Sequence, residues 1–138
     1  MYKKIIIMLL MLILGLVMFF VLRGKIAREQ IALIKEESYF SDFHIKDGKV
    51  YVECCVTIEN VSNTNKNVTF TAIMNEDYKC GLLKQKRLNV LDVENNEIVF
   101  QIHANSKDTY ELTFVGEHGN NSQKANRLLP PIDIKILD

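Results

Sequence analysis

Eighteen consecutive residues without a polar or charged side chain, Ile5 to Leu22 (IIIMLLMLILGLVMFFVL), constrain this chain more than anything else in it. A helix of that length reaches about 27 Å, close to the roughly 30 Å hydrocarbon thickness of a bilayer. Lipid offers no water to backbone amides, so the run is expected to be helical. Each Leu, Ile, Val or Phe favours insertion by roughly 0.3–0.6 kcal/mol, and the single Gly15 costs little against that sum. A cleaved signal would need small residues closing the run, but here it ends Phe19-Phe20-Val21-Leu22-Arg23, and no cysteine follows at once to accept a lipid. The expectation is an uncleaved signal-anchor over residues 1–22, meeting the bilayer through residues 5–22.

Charge does not orient this anchor. Lys3 and Lys4 with the α-amine stand on one side, Arg23, Lys25 and Arg28 on the other, and positive-inside counting nearly ties. Residues 1–37 hold six Lys/Arg against three Glu, and residues 38–138 eleven against fourteen Asp/Glu. The second part is therefore net acidic and lacks a basic stripe, which argues against nucleic acid as a partner. Residues 26–37 (IAREQIALIKEE) put Ile26, Ala27, Ile31, Leu33 and Ile34 on one helical face, predicting a juxtamembrane helical stalk over 23–39.

From Phe40 the hydrophobic period falls to two. Along Lys49–Glu59, Val50, Val52, Cys54, Val56 and Ile58 share one face, and Asp47-Gly48 before them is a hairpin turn signal. The alternation recurs at Val68, Phe70, Ala72 and Met74, at Ile98, Phe100 and Ile102, at Tyr110, Leu112 and Phe114, and at Ile132, Ile134 and Ile136. A less regular strand is expected within Leu82–Val93. Polar clusters rich in Asn and Ser separate these runs, and Pro130-Pro131 precedes the last. About seven short strands over 40–138 predict an all-β domain, an immunoglobulin-like β-sandwich. The absence of a long helical pattern disfavours a parallel α/β fold and its nucleotide crevice.

The residues Val56-Thr-Ile-Glu-Asn-Val-Ser62, Val68-Thr-Phe-Thr-Ala72, Ile102-His-Ala-Asn-Ser106 with Tyr110-Glu-Leu-Thr-Phe114, and Arg127-Leu-Leu-Pro-Pro131 resemble small bacterial membrane-anchored extracytoplasmic Ig-like accessory domains. The resemblance spans roughly residues 42–137 and rests on turn and strand residues. It implies a single-pass protein of the cell membrane with its C-terminal domain outside the cytoplasm, and a protein or cell-envelope component as partner. A Cys54–Cys80 bridge would match the inter-sheet staple of Ig domains and suit an oxidising compartment. Against it, Cys54 belongs to the apolar series and reads most simply as a small core residue, while Tyr78-Lys79-Cys80-Gly81 reads as a turn.

Signals for chemistry are sparse. His44, His103 and His118 form no H-E-x-x-H or H-x-H pattern, so no metal or cofactor is expected, and His44 alternates with Phe43 and Ile45 and should face solvent. There is no G-x-S-x-G elbow and no phosphate loop. Asn75-Glu76-Asp77 lacks calcium-loop spacing and reads as turn chemistry. Lys84, Lys86 and Arg87 form the one basic cluster after residue 40, read as a solvated face. Three sequons occur, at Asn60, Asn67 and Asn120. The expectation is a non-enzymatic, membrane-tethered binding or accessory domain. Two alternatives stand beside it: a thiol-dependent enzyme or redox protein using Cys55 or Cys80 with a histidine, and an immunity or inhibitor protein that binds one protein.

Overall fold

The computed structural model describes residues 2–28 (with side chains to Arg23), 30–122 and 127–137. The chain divides into two compact units, Met1–Gln30 and Ile31–Asp138. The first is helix α1, Tyr2–Arg28, long and apolar enough over Tyr2–Arg23 to cross a membrane, with Ile5, Gly15 and Leu22 all inside that stretch. Its side chains are open to the surroundings on every face, and nothing lies within 4 Å of a Cβ built on Gly15. A helix apolar all round has no solvent-facing side, so lipid is the medium that suits it. Arg23 lies 4.9 Å from the Phe19 ring, an amphipathic cation at the end of the apolar stretch.

The second unit is mostly antiparallel sheet. Its strands are β1 (Ile31–Lys46), β2 (Lys49–Asn60), β3 (Lys66–Ile73), β4 (Arg87–Val90), β5 (Phe100–Ile102), β6 (Ser106–Glu117) and β7 (Ile132–Ile136), with a short helix α2 (Asn75–Lys79) after β3. They pair in the order β1-β2-β6-β4-β3-β5, and β7 joins the other side of β3. Each expected run contains a strand, although β5 is shorter than its run and leaves Ile98 outside it, and Ile136 of β7 is exposed. Along β2, β3 and β6 the apolar series faces inward, with Val50, Val52, Cys54, Val56, Ile58, Val68, Phe70, Ala72, Leu112 and Phe114 each at most 2% exposed. At roughly 1.5–3 kcal/mol for each large apolar side chain, that inner wall is the main favourable term. The Asp47-Gly48 turn has positive φ at both residues, 52° and 74°, as its hairpin geometry requires.

The expected helical stalk is corrected. The helix ends at Arg28, and from Ile31 the chain is already strand, with Ile31 to Ile34 paired against Asn60 to Thr57. Ile31 and Leu33, two residues apart, pack on the core. In so short a segment the apolar residues satisfy both periods, and pairing with β2 decides between them. The strand is not regular. Four residues, Lys35 to Ser38, oppose the single Val56, and Ser41 is a second insertion between Phe40↔Cys54 and Asp42↔Glu53. The Ser38 hydroxyl mends the first break, donating to the Ile34 carbonyl at 2.7 Å and accepting from the Thr57 amide at 3.0 Å. Thr57 is consequently buried although it belongs to the outward series.

Asn60, the first sequon, is spent inside the protein. It is 1% exposed; its Nδ2 donates to the carbonyls of Thr64 (3.0 Å) and Ile102 (3.3 Å), and its Oδ1 accepts from the amide (3.0 Å) and hydroxyl (2.7 Å) of Ser62. Replacing it by Ala strands those groups and should cost about 1–3 kcal/mol in a denaturant melt. Gly116, in β6, has no room for a side chain, because a Cβ would stand 2.3 Å from Leu88 Cδ2 and 3.0 Å from Leu83 Cδ2. Gly116→Ala should destabilise by about 1–3 kcal/mol through overpacking, read as a lower melting temperature with the β-type circular dichroism retained.

Candidate binding groove

Among the described strands β1, β5 and β7 each pair with one strand only, and residues Arg127–Pro131 lie between β1 and β7. Proline at 130 and 131 supplies no amide hydrogen, so this segment cannot extend a ladder as donor there; it is held instead by the Ile73 amide donating to the Pro131 carbonyl at 2.8 Å. Leu129 turns onto the core while Leu128 stands 88% exposed. Covering an edge with a loop is one way a sheet avoids unwanted pairing.

Two open hollows flank the segment. One, of 470 Å³, lies toward the end of β3 and α2 and includes Phe40, Val52, Met74 and Asp77. The other, of 590 Å³, lies toward β1 and includes Leu33, Lys35, Tyr39 and Ile132. Phe40, Arg127, Leu128 and the two prolines belong to both. The walls are chiefly apolar; the charges among them are Lys35 in the second hollow, Glu76 in the first and the Arg127–Asp77 pair, a lining that suits an extended, largely apolar segment.

Arg127 anchors the segment. Its guanidinium sits 2.8 Å from Asp77 Oδ1, with side chains only 12% and 19% exposed, and 3.6 Å above the Phe43 ring. In so dry a site, removing one partner leaves an unpaired charge, which is costly. Asp77, in α2, also accepts at its backbone carbonyl from the Leu82 and Leu83 amides, so one residue ties the helix, the following turn and the Arg127 segment together. The sequence offered no sign of this pair: Asp77 read as a turn residue, and its partner is fifty positions away.

The thiols are free and lie apart from one another in kind: Cys54 buried, Cys55 half-buried, Cys80 exposed. The Cys54–Cys80 bridge is therefore corrected. Cys54 points into the core from mid-β2, whereas Cys80 closes α2 on the surface and donates its thiol to the Asp77 carbonyl at 3.4 Å. Cys55 faces Tyr39 across the β1–β2 ladder, and hydrogen bonding to that thiol is the chief cause raising the Tyr39 hydroxyl above its usual pKa. His44 pairs with Tyr51, four residues along β2 from Cys55, or about 13–14 Å at strand spacing. His118 Nε2 donates to the Asn121 carbonyl at 3.1 Å, and Asn121 Nδ2 donates to the Cys80 carbonyl at 2.8 Å, so Cys80 and His118 share a neighbour while the thiol itself points to Asp77. His103 is exposed.

The basic cluster is divided among partners: Lys84 with Glu117 (3.6 Å), Arg87 with Asp133 (2.8 Å), and Lys86 over the Tyr78 ring at 5.2 Å. As for metal donors, Asp42, His44 and Glu53 converge on the outer face of β1 and β2.

Burial pushes the Cys54 thiol up to about 12 from 9.0, with the neighbouring Cys55 adding to the shift. The folded state keeps the proton longer than the unfolded chain, so this group's contribution to stability is whole below pH 9 and is lost as pH rises toward 12. With a water-soluble disulfide reagent at pH 8, Cys80 should label at once and Cys54 only when the protein unfolds; rapid labelling of Cys54 in the folded chain would contradict its placement. Compared with protein-family models, curated proteins and solved structures, the chain finds no match in any of the three.

Proposed function

We propose that this protein is a membrane-tethered binding or accessory module: an Ig-like β-sandwich displayed outside the cytoplasm, single-pass in the cell membrane, that takes a protein or cell-envelope partner without chemistry of its own. The observation that carries the reading is α1, whose apolar side chains from Ile5 to Leu22 are each at least half exposed. Their burial in lipid holds the sheet at a membrane surface, where a binding role is served by high local concentration. The groove beside Arg127–Pro131 supports the binding half: apolar walls and an exposed Leu128 at the edge of a sheet suit an extended partner segment. Outward display rests on the resemblance of the strand and turn residues to extracytoplasmic Ig-like modules.

Protease added to intact cells should remove the C-terminal domain from the membrane fraction, while full protection until the cells are lysed would reject the orientation. A photo-crosslinking amino acid at Leu128 should give a discrete adduct in native membranes. The same label at Val93, an apolar and fully exposed position in the β4–β5 loop, should give none. Equal adducts at both positions would remove the groove from the reading.

A further inference from the structure

The outer face of the β1–β2 hairpin carries a donor set that the groove does not use. Asp42 and Glu53 are direct cross-strand partners, and His44 follows two residues along β1, opposite Tyr51. The Ser41 insertion creates this arrangement. Phe40 faces Cys54 on the inner side, and a regular strand would send Asp42, two residues on, inward as well; the extra residue turns Asp42 outward beside His44.

The three donor atoms converge on one point of the hairpin surface. The His44 ring stacks on Tyr51, centroids 4.9 Å apart and planes within 12°, which fixes the imidazole plane. Its Nδ1 then lies 3.5 Å from Asp42 Oδ2 and 3.9 Å from Glu53 Oε1, and all three donor atoms fall within 4.8 Å of one another. The first distance is at the limit of a hydrogen bond and the second is beyond it, so both are loose contacts of ion-pair range rather than well-formed hydrogen bonds. Two carboxylates facing each other across a ladder repel. Among the described residues neither pairs with a Lys or Arg. Donors 2.0–2.1 Å from a tetrahedral ion stand about 3.4 Å apart, so small torsions of partly exposed side chains close the set around a metal. An imidazole among carboxylates selects a borderline transition ion over Mg²⁺ or Ca²⁺, which prefer all-oxygen cages.

We propose that Asp42, His44 and Glu53 bind one divalent transition ion, of which Zn²⁺ is the representative, in a three-donor site on the outer face of the hairpin with its remaining position open to water. The ion neutralises the facing carboxylates and pins β1 to β2 beside the Ser41 insertion. This site is independent of the groove and of the orientation in the membrane.

The test titrates ZnCl₂ into the full-length chain in detergent micelles by calorimetry, with imidazole ¹⁵N shifts recorded alongside. One ion should bind per chain and shift the His44 nitrogens, while MgCl₂ at the same concentration gives no saturable heat. His44→Ala should abolish binding, and Asp42→Asn or Glu53→Gln should each weaken it by roughly 10–100-fold, at least the loss seen for groups that merely orient ligands. His103→Ala and Cys80→Ser should leave the affinity unchanged. Circular dichroism of each variant establishes that the sheet is retained. Absence of saturable binding up to millimolar Zn²⁺, equal affinity in folded His44→Ala, or loss of the site in Cys80→Ser would each overturn the assignment.

Discussion

The twelve consecutive residue pairs between β2 and β6, Lys49↔Glu117 through Asn60↔Ser106, are the constraint on which the rest of the domain depends. β2 is paired along its full length with β6 and, apart from Val56, with β1, and its inward series from Val50 to Ile58 is buried without a break. That continuous wall fixes the register of its neighbours, since a one-residue slip would turn every inward side chain outward. Phe70, Phe100 and Tyr110 then meet across the core with ring centroids 5.2–6.4 Å apart, joining β3, β5 and β6. The close approach of Leu88 and Leu83 to Gly116 follows from the same wall.

Against so rigid a strand, β1 carries the irregularity. It has more residues than β2 has partners for them, and the surplus is expelled at two places, Lys35–Ser38 and Ser41. Each expulsion has a local consequence. The first brings the Ser38 hydroxyl into the ladder and buries Thr57, whose hydroxyl meets that of Thr109 at 2.9 Å. The second reverses the facing of Asp42 and assembles the Asp42–His44–Glu53 cluster. Insertions in edge strands re-aim side chains in this way because one side of the strand has no ladder to preserve.

The two units suit different solvents. α1 is long enough to cross a membrane and apolar on every face, which suits hydrocarbon, where a helical backbone is satisfied internally. The sheet gains by hiding one face from water and leaving the other polar. The sheet's open side is closed by the Arg127–Pro131 segment, locked through the Arg127–Asp77 pair; covering that seam with a loop rather than a strand is what leaves hollows on both sides of it.

The amino-acid sequence by itself determined the lipid-length helix over Ile5–Leu22, the strand pattern from Phe43 onward, the Asp47-Gly48 turn and the inward placement of Cys54, because each is written in neighbouring residues through local period and turn chemistry. The apolar spacings of Ile31 to Tyr39 fit the helical period of the expected stalk as well as that of a strand, and only pairing with Cys55–Asn60 makes this segment strand. The freedom of Cys54 and Cys80 from each other, the burial of Asn60 and Thr57, the Arg127–Asp77 lock and the Asp42–His44–Glu53 cluster were decided by tertiary structure alone. Each depends on which distant residue lies opposite, and that is set by register and by strand insertions, which cost only local hydrogen bonds and leave no periodic mark in the chain.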